Sequence, residues 1–260
     1  MLEDDFTYVL RKALMGNGMS VAQLAGRAGI PESAVEDFLG GSFSTDTARV
    51  IAPALGLNVA ALANHASYEP KPSALEGIEH IDLPFGGERV NAWLVRAGDA
   101  IVLFDAGYRE KDLLDELESR CGRMPDRTFI THAHPDHVGA LPRLLEAGVP
   151  VHSADLPGTL SMEPGETVCC GPLTIRACDL SGHAMPALGY HVEGFAGSVL
   201  VTGDAMFAGS IGGCRSVTSY RHALERLRDV LSPLDDETVL LPGHGPATTL
   251  GEERVANPFL

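Results

Sequence analysis

THAHPDH, residues 131–137, puts three histidines and an aspartate into seven positions of a chain that has ten histidines in all. One histidine alone caps a helix or decorates a surface. Four such groups packed together are costly unless something binds them, and the group that best suits imidazole and carboxylate donors is a metal ion. The spacing has its own logic. His132 and His134, two apart in an extended segment, project to the same side. Pro135 stops that segment, so Asp136 and His137 are expected in the first turn of a helix continuing through VGALPRLLEAG. One short loop can then present ligands to two neighbouring metal positions.

Working outward, short runs rich in Val, Ile, Leu and Thr end in polar signatures: LFDAG (103–107), LSGH (180–183), VTGD (201–204) and LPGHGP (241–246). Loops at strand ends can converge on one centre while a sheet holds them rigid. From residue 78 onward the pattern is strand-like, with helical periodicity over 109–120, 138–147 and 218–231. Strands alternating with helices, beside stretches of consecutive strands, predict a layered α/β fold.

This constellation resembles the metallo-β-lactamase superfamily over about 185 residues, from Ile78 to the end, with HAHPDH as its most specific motif and SGH, TGD and PGHGP following in order. The resemblance implies an αββα sandwich and two divalent metal ions. The first site falls on His132, His134 and His183, the second on Asp136, His137 and His244, with Asp204 bridging and Asp105 orienting the ligands from behind. Zinc is the expected metal, although this donor set suits iron and manganese as well. The implied chemistry is attack on a carbonyl by a bridging hydroxide that Asp136 and Asp204 position.

Within the superfamily, the common zinc β-lactamases carry a cysteine where Asp204 stands and lack the histidine at the position of His137. Nuclease branches use positive charge, which is not visible here. GDAMFAGSIGG (203–213) and PGHGPATTLGEERVANPFL (242–260) resemble glyoxalase II-like hydrolases, implying a thioester substrate. Two departures matter. Gly213 stands where an arginine is expected, so Cys214 and Arg215 are the candidates to set the leaving-group pocket, with Arg215 pairing to a substrate carboxylate. The helical extension that binds glutathione in long-form enzymes is absent from a chain ending at Leu260. A persulfide dioxygenase with one Fe(II) on His132, His183 and Asp204 is the alternative enzyme, and a lactonase would differ only in its pocket.

Residues 1–67 read as helices throughout. MSVAQLAGRAGIPESAVEDFLGG (19–41) resembles the helix-turn-helix of Cro/C1-type repressors, with Ser20 capping the first helix and Pro31 opening the second. The would-be recognition helix, however, offers Glu32, Glu36 and Asp37 and no Arg, Lys, Asn or Gln. Five basic residues face eight acidic ones over positions 1–75, a net of −3. A packing or dimerising bundle is expected rather than a DNA reader, with Leu14, Val21, Leu24, Ile30, Val35, Phe38 and Leu39 as its core. The contrary expectation is a ligand-sensing, DNA-binding regulator. YEPKPSALEG (68–77) reads as a linker to a hydrolase domain at 78–260.

Composition sets the outer bounds. A formal charge of −16 opposes nucleic-acid partners and favours a small-molecule substrate. No apolar run is long enough for a membrane span. The acidic start MLEDDF is unlike a secretory signal, and five cysteines without CxxC spacing read as free thiols, so a reducing cytoplasm is expected.

Overall fold

A computed structural model describes residues 1–71 and 75–260; positions 72–74 of the expected linker lie outside the described residues. Five helices come first: α1 (Phe6–Asn17), α2 (Val21–Ala28), α3 (Glu32–Leu39), α4 (Thr45–Leu55) and α5 (Val59–Asn64). Their boundaries follow the local chemistry. Asp5, Ser20, Ser44 and Asn58 each accept a backbone N–H at a helix start, and Gly18, Gly29 and Gly56 end α1, α2 and α4 in the left-handed conformation. The bundle closes on Phe6, Leu10, Leu24, Val35, Phe38, Ile51 and Leu62, with Leu14 also buried and Val21, Ile30 and Leu39 packed on its margin.

The rest of the chain is the αββα sandwich. The first sheet has the order β1 (Ile78–Phe85), β2 (Glu88–Ala97), β3 (Ala100–Phe104), β4 (Arg127–Phe129), β5 (Val151–Ser153) and β6 (Leu160–Ser161), with α6 (Glu110–Cys121), α7 (Pro135–Val138) and α8 (Leu141–Glu146) between its strands. The second sheet is built from β7 (Thr167–Cys170), β8 (Leu173–Asp179), β9 (Leu188–Glu193) and β10 (Val199–Gly203), and completed by β13 (Val239–Pro242) and β14 (Thr248–Thr249). Between β10 and β13 come a small hairpin, β11 (Met206–Phe207) with β12 (Ser210–Ile211), and then α9 (Val217–Leu231); α10 (Leu250–Ala256) follows β14.

Three cores make four layers. Val90, Ala92 and Leu94 of β2 face α6 and α8, while Trp93 and Val95 of the same strand face the other sheet. A strand covered on both faces is hydrophobic throughout rather than alternating. The middle core joins Val102, Phe104 and Phe129 to Tyr190, Val192, Val201 and Leu241, and the third packs Leu200 and Leu240 under Tyr220, Ala223 and Leu227 of α9.

One expectation needs correcting. The helix after HAHPDH does not run on through VGALPRLLEAG but breaks into α7 and α8. At the break, Gly139 N–H donates to the Gly107 carbonyl (2.6 Å) and Ala140 N–H to the Ala106 carbonyl (3.0 Å), so neither continues the helical ladder. A Cβ on Gly139 would lie 2.1 Å from the Tyr108 carbonyl oxygen, so only glycine permits the approach.

The helical region docks on the sandwich. Gly16 of α1 sits so close to α9 that a Cβ there would be 2.3 Å from the Tyr220 ring. Asn58 N–H donates to the Pro258 carbonyl (2.7 Å), and Phe259 packs against both cores. The start of the expected linker is also tied down: Tyr68 donates to Glu253 (2.6 Å), and Lys71 N–H donates to Glu252 (3.0 Å).

Candidate metal centre

Every strand-end signature meets at one edge of the sandwich. His132 and His134 follow β4, Asp136 and His137 lie on α7, His183 follows β8, Asp204 follows β10 and His244 follows β13. Donor atoms of His132, His134, His183 and Asp204 lie within 4.8 Å of one another, as do those of Asp136, His137 and His244. Asp204 stands between the two groups. Its Oδ2 is 3.9 Å from His132 Nε2, 3.5 Å from His183 Nε2 and 3.5 Å from His244 Nε2, while Oδ1 is 3.3 Å from His137 Nε2.

The outward nitrogens fix what the inward ones can do. His183 Nδ1–H donates to the Gly213 carbonyl (2.8 Å), His244 Nδ1–H to the Arg89 carbonyl (2.6 Å) and His137 Nδ1–H to Asp105 Oδ2 (2.9 Å). Thr131 Oγ1 donates to Asp105 (2.9 Å) and so accepts from His132 Nδ1–H (3.0 Å). Assigned from this network, the Nε2 atoms of all four rings point into the cluster, where the neutral rings that bind a metal would aim their lone pairs. His134 Nδ1 faces His132 Nε2 at 2.9 Å and His183 Nε2 at 3.1 Å, so it either donates to them as the Nδ1–H tautomer or, as the other tautomer, adds a third lone pair for a cation. His137 Nε2 and Asp204 Oδ1 are buried without a hydrogen-bond partner. Converging lone pairs, a shared carboxylate and orphaned buried atoms fit a pair of cations.

Charge follows the same geometry. Burial opposes ionisation of Asp204, but His137 and His244 hold its carboxyl well below the usual range. Burial, with the neighbouring His137 charge, pushes His132 down to about 2. Burial likewise works against a charged His244, yet the carboxylates of Asp136 and Asp204 outweigh it and raise the ring to about 11. The backbone contributes too: Asp105 adopts φ 61, and a Cβ on Gly243 would fall 2.1 Å from Asp204 Oδ1.

Not every candidate joins the cluster. Asp105 stands directly behind it, accepting from Thr131 N–H (2.8 Å), the Thr131 hydroxyl and His137. Cys214 is buried in the core under α9, its thiol pushed up to about 11 by burial, and Arg215 is exposed. Two supporting residues were not among those expected from the sequence: Thr131, which links His132 to Asp105, and Asn91, which donates to the carbonyls of Pro242 (2.9 Å) and Gly245 (2.8 Å) on either side of His244. Thr131 was legible as the first residue of the motif; Asn91 had no local signal. Around His244 stand the rings of Phe85 (6.5 Å between centroids) and Phe207 (5.9 Å), with Tyr108 edge-on to Phe85. A cavity of about 860 Å³, lined in part by Glu3, His80, Arg89, Trp93 and Leu241, lies behind the His244 turn and takes in none of the cluster side chains.

Comparison with known proteins agrees with this architecture. Residues 85–169 match the family described as the metallo-beta-lactamase superfamily. A hydroxyacylglutathione hydrolase of Gloeobacter violaceus is 33% identical over 187 residues, 65% of this chain and 70% of the relative. The chain belongs to the metallo-β-lactamase superfamily. The probable metallo-hydrolase YqgX of Bacillus subtilis is 26% identical over 204 residues, which cover 68% of this chain and 95% of that one. The crystal structure of TTHA1623 in a di-iron-bound form is 31% identical with a TM-score of 0.55, over 69% of this chain and 100% of that one. All of these alignments leave part of this chain unmatched. The superfamily fold makes this chain a metallo-hydrolase by class, and no helix among the described residues is long and apolar enough to cross a membrane.

Proposed function

We propose that this metallo-hydrolase is dinuclear and cleaves thioesters. The observation that carries the reading is Asp204, whose two oxygens face both histidine groups at 3.3–3.9 Å. His132, His134 and His183 would hold one cation and Asp136, His137 and His244 the other, with Asp204 within reach of both. Zinc is the first expectation, and the iron in TTHA1623 keeps iron open as an alternative. Two such cations supply Lewis acidity and bring the pKa of water toward about 7.

The chain's own residues do the rest. Asp136 Oδ2 lies 3.3 Å from His244 Nε2 and 3.7 Å from His137 Nε2, so it can orient an attacking water as well as bind. Asp105 and Thr131 fix the rings of His137 and His132, so the ligands need little reorganisation when a substrate arrives. The rings of Phe85, Tyr108 and Phe207 beside His244 offer an apolar wall to an acyl group. Support for a thioester comes from the hydroxyacylglutathione hydrolase relative and from the GDAMFAGSIGG and PGHGPATTLGEERVANPFL motifs.

The test is elemental analysis of the purified protein together with a panel of thioesters, lactones and phosphodiesters, and oxygen uptake with a persulfide. Two metals per chain and preferential thioester cleavage are expected. One iron per chain with oxygen uptake would overturn the hydrolytic reading in favour of a dioxygenase.

A further inference from the structure

Asp204 is followed at once by the hairpin β11–β12, and two residues after that hairpin comes Gly213, whose carbonyl receives the His183 ring. The hairpin has two residues per strand, too few to hold itself. It is gripped from two sides. From α10, Glu253 Oε2 accepts the Gly209 N–H (2.8 Å), and Asn257, the residue just past its end, donates through Nδ2 to the Ser210 carbonyl (3.0 Å). From the helical region, the buried His65 donates through Nε2 to the Gly209 carbonyl (3.0 Å). Lys12 of α1 donates to the Ile211 carbonyl (2.9 Å), stands 5.1 Å over the Phe207 ring and pairs with Asp4.

What is gripped at Ile211 is felt at His183. Gly212, the single residue between Ile211 and Gly213, is wedged so tightly that a Cβ would lie 1.8 Å from the Asp204 carbonyl oxygen and 2.9 Å from His183 Cβ. The path from Asp204 to the Gly213 carbonyl therefore has no slack. The grip is itself anchored, because α1 meets α9 through the close approach of Gly16 to Tyr220. Lys12 and Asp4 are nearly enclosed, at 16% and 6% side-chain exposure, so removing either one strands the other.

We propose that the helical region is a clamp on the metal centre: Lys12 and His65 are positioning residues that hold β11–β12 and, through the Gly213 carbonyl, set the imidazole of His183. The proposal rests on the reading of the cluster as metal ligands. It gives the region an assignment inside the enzyme, beyond the bundle packing that its sequence suggests.

The experiment follows transfer of metal from the loaded protein to a chromogenic chelator in Lys12→Met, in the double variant Asp4→Asn with Lys12→Met, which leaves no stranded carboxylate, and in His65→Leu. Arg11→Met is the control, since Arg11 donates to the Leu39 carbonyl inside the bundle and does not reach the hairpin. Release is expected to accelerate about 10-fold or more in the first three, the scale of losing a group that supports a ligand, and to stay at the wild-type rate in Arg11→Met. In the metal-free variants, amide exchange at 209–213 is expected to speed up while the cooperative melt is retained. Lys12→Arg, which keeps a donor and a charge, should recover slow release. Wild-type release in whichever of the first three variants folds overturns the clamp. Equal acceleration in Arg11→Met also overturns it, by showing general loosening. Should the wild-type protein hold no metal at all, it is the reading of the centre that fails, and elemental analysis separates that result from a failed clamp.

Discussion

Asp204 and Asp105 act on the same histidines from opposite sides. Replacing Asp204 with Ala removes the one group that faces both halves of the cluster, so metal content is expected to fall from two ions per chain and affinity to drop by at least about 10–100-fold, the scale known for less direct supports. Elemental analysis after dialysis reads it, and retention of both ions would defeat the bridging assignment. Asp105→Asn is the subtler probe. Asparagine keeps the volume and tolerates the φ of 61, but its amide nitrogen cannot accept from Thr131 or His137. A loss of metal affinity of about 10–100-fold with an unchanged far-ultraviolet spectrum is the expected outcome. Arg215→Ala tests the pocket suggested by the departure at Gly213: an unchanged KM on the best thioester would place this exposed side chain outside substrate recognition.

At the scale of elements, one substitution gives opposite signs in two places. Gly26, inside α2, has open space where a methyl would go, with nothing within 4 Å of a Cβ there, so Gly26→Ala should stabilise the protein by about 0.4–1 kcal/mol through the unfolded chain. Gly212→Ala drives a methyl into the Asp204 carbonyl at 1.8 Å, where backbone cannot yield as a side chain would. The cost should reach or exceed the 1–3 kcal/mol typical of about one overpacked methyl. Urea unfolding of both variants checks the pair, and destabilisation of similar size in each would contradict the local geometry. The break between α7 and α8 belongs to this scale too. Periodicity over 138–147 is helical, but Gly139 and Ala140 find better acceptors on the Gly107 and Ala106 carbonyls than in a continuous helix.

For the whole molecule, protonation and charge give two expectations. His65, His132, His152, His183 and His191 all have lowered pKa values, with burial the first cause in each. As pH falls below the ordinary value of 6.5, the unfolded chain takes up protons that the folded chain refuses, so stability drops. His137 and His244 run the other way: burial opposes them, but neighbouring carboxylates raise them to about 10 and about 11, and their contribution is lost as pH rises through those values. The metal-free protein should therefore be most stable near neutral pH in urea titrations, and greater stability at pH 5 than at pH 7 would refute this. The second expectation concerns DNA. Glu32, Glu36 and Asp37 are all exposed on α3, the helix that would enter a groove. Anisotropy titration at about 100 mM salt should show no saturable binding near the 10⁻⁸ M that marks roughly the weak end of specific recognition.

Through the family resemblance that HAHPDH, SGH, TGD and PGHGP carry, the αββα fold was legible in the chain, and the same short motifs named the seven residues whose donor atoms the fold brings together. The helix cap at Ser20 was legible because it acts on backbone only a few residues away. What stood behind the histidines was not. Asp105 apart, the oxygens that fix the ring nitrogens are the Gly213 and Arg89 carbonyls, 30 and 155 residues distant from His183 and His244, and backbone carbonyls carry no signature in side-chain identity. Lys12 and His65 likewise looked ordinary in sequence, one a helix-surface lysine and the other a lone histidine. Only tertiary packing brought them to Ile211 and Gly209, across 199 and 144 residues, since a contact at that separation depends on how whole layers meet rather than on any local pattern.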